Sequence, residues 1–370
     1  MKKILPGIIA LLVILGAVAY YFFFGGKERF ETVLNKTDET AQTEDQMMDG
    51  ERMMEEKLST LVASKVVSPV LSVDQDAVWF FDSTGQLYRK EVAGSQSTES
   101  YGLTDPDFTK TAIWPDAGNN FIVKTLQAGG KEVYQVYLAL QTRFAEQPEN
   151  MKSVDWMPDG VRIVYVWQRG DGAWELKMSD ADGKNFSKIA DLDKFYEVHV
   201  SPTGVFALLV PKAASSTNQV LRVEIPSGER SALLDRGVNV DVKFSPSGRK
   251  LLFSRLDQDS QPELWVYDFI DGSFKQLGIN TTPDKVAWSA DSQGFYYGKP
   301  LAIIFGDSNI EKQTDDVVMF YDLALQSGSE VLERKPGRQI DVRDMSVSGD
   351  DSFLIFRNGW DGGLYKLLLK

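Results

Sequence analysis

The chain has no cysteine, and that single absence removes disulfides, thiolate nucleophiles and thiolate-ligated metals together. Histidine is nearly as scarce. His199 is the only one in 370 residues, so no multi-histidine metal centre can form. Net positive charge is also missing: the balance is −13, and apart from Lys2 and Lys3 the remainder carries 38 basic against 53 acidic residues. Such a body repels nucleic acid and anionic lipid, so no nucleic-acid partner is expected. There is no Gly-x-Ser-x-Gly nucleophile elbow and no phosphate-cradling loop ending in Lys-Ser/Thr. No cofactor is expected, and Asp180-Ala181-Asp182-Gly183 lacks the later acidic ligands of a calcium loop, which leaves a hairpin turn.

What is present begins with an apolar run. Residues 4–24 are uncharged and would rise about 31 Å as a helix, enough to cross a bilayer core. Tyr20, Tyr21 and Phe22 to Phe24 suit the membrane–water boundary. Ala17-Val18-Ala19 resembles a signal-peptide cleavage site, but the five aromatics beyond it extend the run to a full span, so an uncleaved anchor is expected. A short tail (1–3) before a large C-terminal domain places that domain outside the cytoplasm. Residues 25–57 read as an acidic spacer, with eight carboxylates and one arginine between Thr37 and Glu56.

The rest of the chain repeats itself. Leu71, Trp114, Trp156, Val200, Phe244, Trp288 and Val347 occupy one recurring apolar slot, at steps of 43, 42, 44, 44, 44 and 59 residues. Each unit has an alternating stretch ending at that slot, then a turn such as Ser245-Pro246-Ser247-Gly248, then a β-branched or aromatic run. A polar loop, a third strand and an Asp/Gly hairpin to a fourth complete it. Four antiparallel strands every 40–45 residues is the signature of a propeller blade, and seven blades close a ring. The fold class is therefore all-β: a seven-bladed β-propeller over residues 58–370, preceded by one transmembrane helix. The seventh unit stops at its third strand, and residues 58–67 are predicted to supply the missing outer strand. The long last step reflects an insertion at 300–315, carrying Leu301 to Phe305, which is expected to fold back over blade six.

The units VDWMPDGVRIVYVW and VKFSPSGRKLLFSR, with LWVYD and KMSDADGKNFSKI, resemble the WD-like repeats of the TolB family. That family is bacterial, and its type protein is a periplasmic propeller that binds other envelope proteins. The resemblance covers about residues 69–370 and implies the fold strongly and a partner weakly. The chain departs from the family in its anchor and in lacking an evident N-terminal α/β domain. Similar repeats occur in prolyl-oligopeptidase-type enzymes, which need a hydrolase domain that has no counterpart here.

Six of the seven units place a cation directly after the second strand: Lys124, Arg169, Lys212, Arg255, Lys299 and Arg357. All should open on the face that carries the loops between second and third strands. They could ring a surface for an acidic peptide or another envelope protein, since arginine binds carboxylates bidentately. They could equally pair with blade carboxylates such as Asp171, Asp257 or Asp361. His199, between Val198 and Val200, reads as a core or channel-lining imidazole. The leading expectation is a membrane-anchored, monomeric, non-enzymatic binding module of the cell envelope. The alternative is a propeller enzyme acting on glycans or peptides, with Asp155 and Asp241 as channel carboxylates. A transmembrane sensor is disfavoured by a three-residue tail.

Overall fold

The computed structural model describes residues 57–93, 98–104, 108–127, 131–145, 147–212, 219–234, 241–256, 261–304, 313–333 and 337–370. The expected tail, membrane span and, apart from Lys57, acidic spacer lie outside them. Among the described residues no helix is long and apolar enough to cross a membrane. Leu58–Lys370 form one compact unit.

That unit contains seven four-stranded antiparallel sheets. In blade three, for example, strands A to D are Met151–Trp156, Arg162–Gln168, Trp174–Asp180 and Ser187–Leu192. Strand B shows why the blades stack. In blade four it is Phe206–Val210, buried at every residue, because both its faces meet neighbouring blades. The core accordingly lies between blades. One cluster joins Val164 and Leu176 of blade three to Val198 and Leu209 of blade four. Another joins Ile355 and Leu364 of blade seven to Val78 and Phe80 of blade one. Each large side chain so buried contributes about 1.5–3 kcal/mol.

The A–B turns are where the repeat is most regular. Four residues beyond each apolar slot the backbone turns left-handed: Gln75, Gly118, Gly160, Gly204, Gly248, Ser292 and Asp351, with φ between 52° and 84°. Glycine takes this conformation freely and fills four of the seven positions. At Gly160 it is also sterically required, since a Cβ there would run into the carbonyl oxygen of Ala117 in the preceding blade's turn.

Inner strands are stitched by side chains that reach one blade across. The indole N–H groups of Trp114, Trp156 and Trp288 donate to the carbonyls of Ser68 (2.9 Å), Ile113 (2.9 Å) and Lys243 (3.3 Å). Ser68 and Ser153 hydroxyls accept from the amides of Ala112 (2.9 Å) and Val198 (3.0 Å). Tryptophan in the slot thus packs a blade and bonds it to the previous one.

The ring closes much as the sequence implied, with one correction. Leu58–Val62 pairs with Leu364–Leu368, Leu58 opposite Leu367, and completes blade seven. The predicted strand over 58–67 is two strands, however. The chain leaves blade seven at Val62 and by Val66 has begun strand A of blade one, Val66–Leu71. No glycine or proline marks the break, because 63–65 only has to bend between two sheets.

The blade-six insertion also differs from expectation. Its two ends are not loop: strands B and C continue, as Gly294–Ile304 and Gln313–Asp322, keeping their pairing out to Ile304 and Gln313. The stem then leans on blade seven. Gln313 Nε2 donates to the Gly359 carbonyl (3.0 Å), and Trp360 Nε1 to that of Thr314 (2.9 Å). Residues 305–312 lie outside the described residues.

Candidate functional site

Antiparallel strand order sends the B–C connections to one end of the ring and the A–B turns to the other. The six cations gather towards the B–C end, though not all in loops. Arg169 and Lys212 follow their strands. Lys124, Arg255, Lys299 and Arg357 lie within theirs, which continue one to five residues further.

Four of the six form ion pairs inside their own blades. Lys124 meets Glu132 at 2.6 Å, Arg169 meets Asp171 at 2.7 Å, Lys212 meets Glu197 at 3.0 Å, and Arg357 meets Asp344 at 2.6 Å. Asp361 bonds instead to Asn358 (3.2 Å) and Tyr365 (2.6 Å), and Asp257 lies outside the described residues. Such exposed pairs add at most about 1 kcal/mol each, but they hold the side chains and neutralise them.

Arg255 is different. Its guanidinium stands 5.2 Å from the rings of Phe253 and Trp265 and 5.9 Å from that of Phe274. Its Nε is buried with no hydrogen-bond partner, and burial pulls its pKa below the usual range. Among the described residues no carboxylate pairs with Arg255, nor with the exposed Lys299 one blade on.

Between blades six and seven at this end lies a buried ionic network that the sequence reading did not anticipate. Lys285 Nζ donates to Thr314 Oγ1 (2.6 Å), to Asp316 Oδ2 (2.6 Å) and to Asp341. The side chains of Lys285, Asp316 and Asp341 are 5%, 0% and 1% exposed, so this is desolvated charge. Arg343 bonds Asp341 (3.0 Å) and reaches Asp284 (3.0 Å). Burial pushes the Asp316 carboxyl up, against the pull of Lys285. The network ties the base of the long hairpin to blade seven.

The A–B end holds an axial cavity of about 730 Å³ to which every blade contributes. Its charged lining is Asp116, Asp155 and Lys243, set among the indoles of Trp114, Trp156 and Trp288. Asp155 accepts the amide of Val200 in the next blade (2.8 Å) and that of Trp156 (2.8 Å). Burial raises its carboxyl to about 7 despite those two donors, and the charge of Asp116 adds to the rise. Lys243 is depressed by burial, and its ammonium donates to the Val286 carbonyl.

Asp155 and Asp241 do not form a pair. Asp155 lies at the A–B end of its strand, whereas Asp241 precedes Val242–Phe244 at the other end. There Asp241 is raised by burial, with Lys212 opposing and Asp284 and Glu197 reinforcing. His199 is half-buried on strand Glu197–Val200, its pKa lowered by burial. The position just before the slot reads Val70, Ile113, Asp155, His199, Lys243, Ala287 and Ser346, which puts three titratable groups in successive blades. That alignment was available in the sequence once the register was fixed, and Lys243 could have been found from it. Among the described residues no three His, Asp or Glu side chains converge as a metal site.

These features define a seven-bladed β-propeller of four-stranded blades with an axial cavity at one end and a largely self-paired charged rim at the other. No protein-family model matches the chain. Among curated proteins it is similar to the Tol-Pal system protein TolB of Anaeromyxobacter dehalogenans strain 2CP-C, 26% identical over 172 residues, 45% of this chain and 36% of that protein. The TolB of Anaeromyxobacter sp. strain K is 24% identical over 152 residues, 40% of this chain and 33% of the relative. The chain thus spans about a third of the length of these relatives. Among solved structures it resembles an oligogalacturonate lyase from Vibrio parahaemolyticus (TM-score 0.58, 11% identity, 85% and 91% of the two chains). It also resembles the Myceliophteria thermophila Cps50 (Swd1) propeller domain (TM-score 0.57, 10% identity, 85% and 100%). At such identities these two likenesses concern the fold alone.

Proposed function

We propose that this chain is a binding module of a bacterial cell envelope, held to the membrane through residues 4–24 with its propeller outside the cytoplasm. It captures another envelope protein, or an acidic peptide, on the B–C face through Lys124, Arg169, Lys212, Arg255, Lys299 and Arg357. One observation carries the reading: Arg255 sits in an aromatic setting with a buried, unpartnered Nε, on a rim where four sister cations have carboxylates of their own. A half-buried arginine with no carboxylate partner among the described residues gains from a ligand that supplies one. The similarity to Tol-Pal system proteins supports an envelope setting. Arg255 and Lys299 form the centre of the contact, and the self-paired cations form its rim. Replacing Arg255, Lys299 and Arg357 with Ala should abolish partner capture in a crosslinking pull-down while the circular dichroism stays native. Unchanged capture removes this face from consideration.

A second reading, an enzyme acting on glycans or peptides, is favoured by Asp155, whose carboxyl near 7 suits acid–base chemistry. Absence of turnover across glycan and peptide panels, oligogalacturonides included, would count against it.

A further inference from the structure

We infer that the axial cavity at the A–B end binds a compact zwitterion, namely an amino acid or short peptide with a free amine and a free carboxylate. This site is independent of the B–C face and lies at the opposite end of the ring. Its volume, about 730 Å³, falls within the usual range for small-molecule pockets. Because each blade supplies part of the wall, the cavity belongs to the ring as a whole rather than to the packing of any one blade.

The lining is built for two charges of opposite sign. Asp116 and Asp155 come from adjacent blades, two and three, and the charge of Asp116 adds to the cost of ionising Asp155. Among the described residues neither has a lysine or arginine within ion-pair distance. Asp155 is held by one backbone amide on each oxygen, which fixes the carboxylate and leaves its remaining lone pairs available. Two neighbouring carboxylates without a counter-ion attract an ammonium. Lys243 enters two blades further round. Its ammonium has three donors, and the hydrogen bond it makes among the described residues is to the Val286 carbonyl. The unused donors can take a carboxylate.

The walls between these poles are aromatic. The indole N–H groups of Trp114, Trp156 and Trp288 are consumed in blade-to-blade bonds, so the rings offer the cavity only their apolar and π surfaces. Such surfaces pack against an aliphatic backbone and favour a nearby cation. A compact molecule with an amine at one end and a carboxylate at the other satisfies all three features at once.

Equilibrium dialysis of the full chain against the standard amino acids and their glycyl dipeptides tests this directly, with the N-acetyl and C-amide derivatives of the best binder alongside. At least one zwitterion should bind saturably, and removing either charge should weaken it roughly tenfold or more. Asp116→Asn, at an exposed turn that tolerates the change, should weaken the parent and erase its advantage over the N-acetyl form. Lys243→Gln should erase its advantage over the amide. Saturable binding by none of the zwitterions up to about 10 mM, or an Asp116→Asn protein with unchanged affinity and discrimination, overturns the assignment.

Discussion

Replacing Lys285 with Met removes the cation from the buried ionic network between blades six and seven. In the native ring its three donors are all used, on Thr314, Asp316 and Asp341. Methionine fills the space but leaves Asp316, whose side chain is fully buried, with the amide of Val342 as its fixed donor (2.8 Å). Asp341 is better protected, because Arg343 still donates to it at 3.0 Å. Breaking a buried pair on one side costs about 3–5 kcal/mol, since a charge is stranded rather than merely unpaired. Adding Asp316→Asn removes the stranded charge and should bring the loss down to about 1–2 kcal/mol. The sign with pH follows. Without Lys285 the Asp316 carboxyl is raised further, so the single variant's deficit should shrink as pH falls from 8 to 5 and the residue takes up a proton. Guanidinium unfolding followed by far-ultraviolet circular dichroism and by tryptophan fluorescence reads the change at constant m. A deficit below about 1 kcal/mol, as for an exposed pair, would refute the reasoning.

Asp155 carries a second pH signature. Its folded carboxyl, raised to about 7, keeps a proton that the unfolded chain has lost, so its contribution to stability is full below pH 4 and disappears as pH rises through 7. Relative to wild type, Asp155→Asn should therefore gain on the order of 1–4 kcal/mol between pH 5 and pH 8; a flat difference contradicts the assignment. Ring closure is testable because the chain has no cysteine. Ser59→Cys with Lys366→Cys, partners across the closing pair, should form an intramolecular disulfide on mild oxidation. A lasting free-thiol count under native conditions argues against closure by Leu58–Val62.

Blade number and strand order were legible because the repeat fixes them. The apolar slot, the turn and the buried run recur in each unit, and all seven left-handed turn residues fall at the same offset. Even so, glycine marks only four of those turns. Gln75, Ser292 and Asp351 accept the same backbone conformation without any composition signal. The closing strand was foreseen, but its end at Val62 was not, since a bend between two sheets needs no special residue. The insertion of blade six was located, but its ends read as loop because 300–315 is a polar–apolar mixture, whereas strand pairing carried on to Ile304 and from Gln313.

The site was harder to read for a different reason. The six cations recur at one position, and the sequence left open whether that meant recognition or pairing. Distances divide them: Arg169 takes the carboxylate named for it, Arg357 takes Asp344 through a bulged residue that no pattern announces, and Arg255 pairs with rings. Lys285 carries no signal in the sequence, because its partners come from two other segments of the chain.

A photo-crosslinking amino acid placed in turn at Lys299, on the B–C face, and at Ser247, in an A–B turn, asks directly which end of the ring meets a partner. Both positions are exposed. In the native membrane the first should give one discrete adduct that is lost when Arg255 becomes Ala, and the second none. An adduct from Ser247 alone, or one from Lys299 that persists without Arg255, would contradict the assignment of the B–C face.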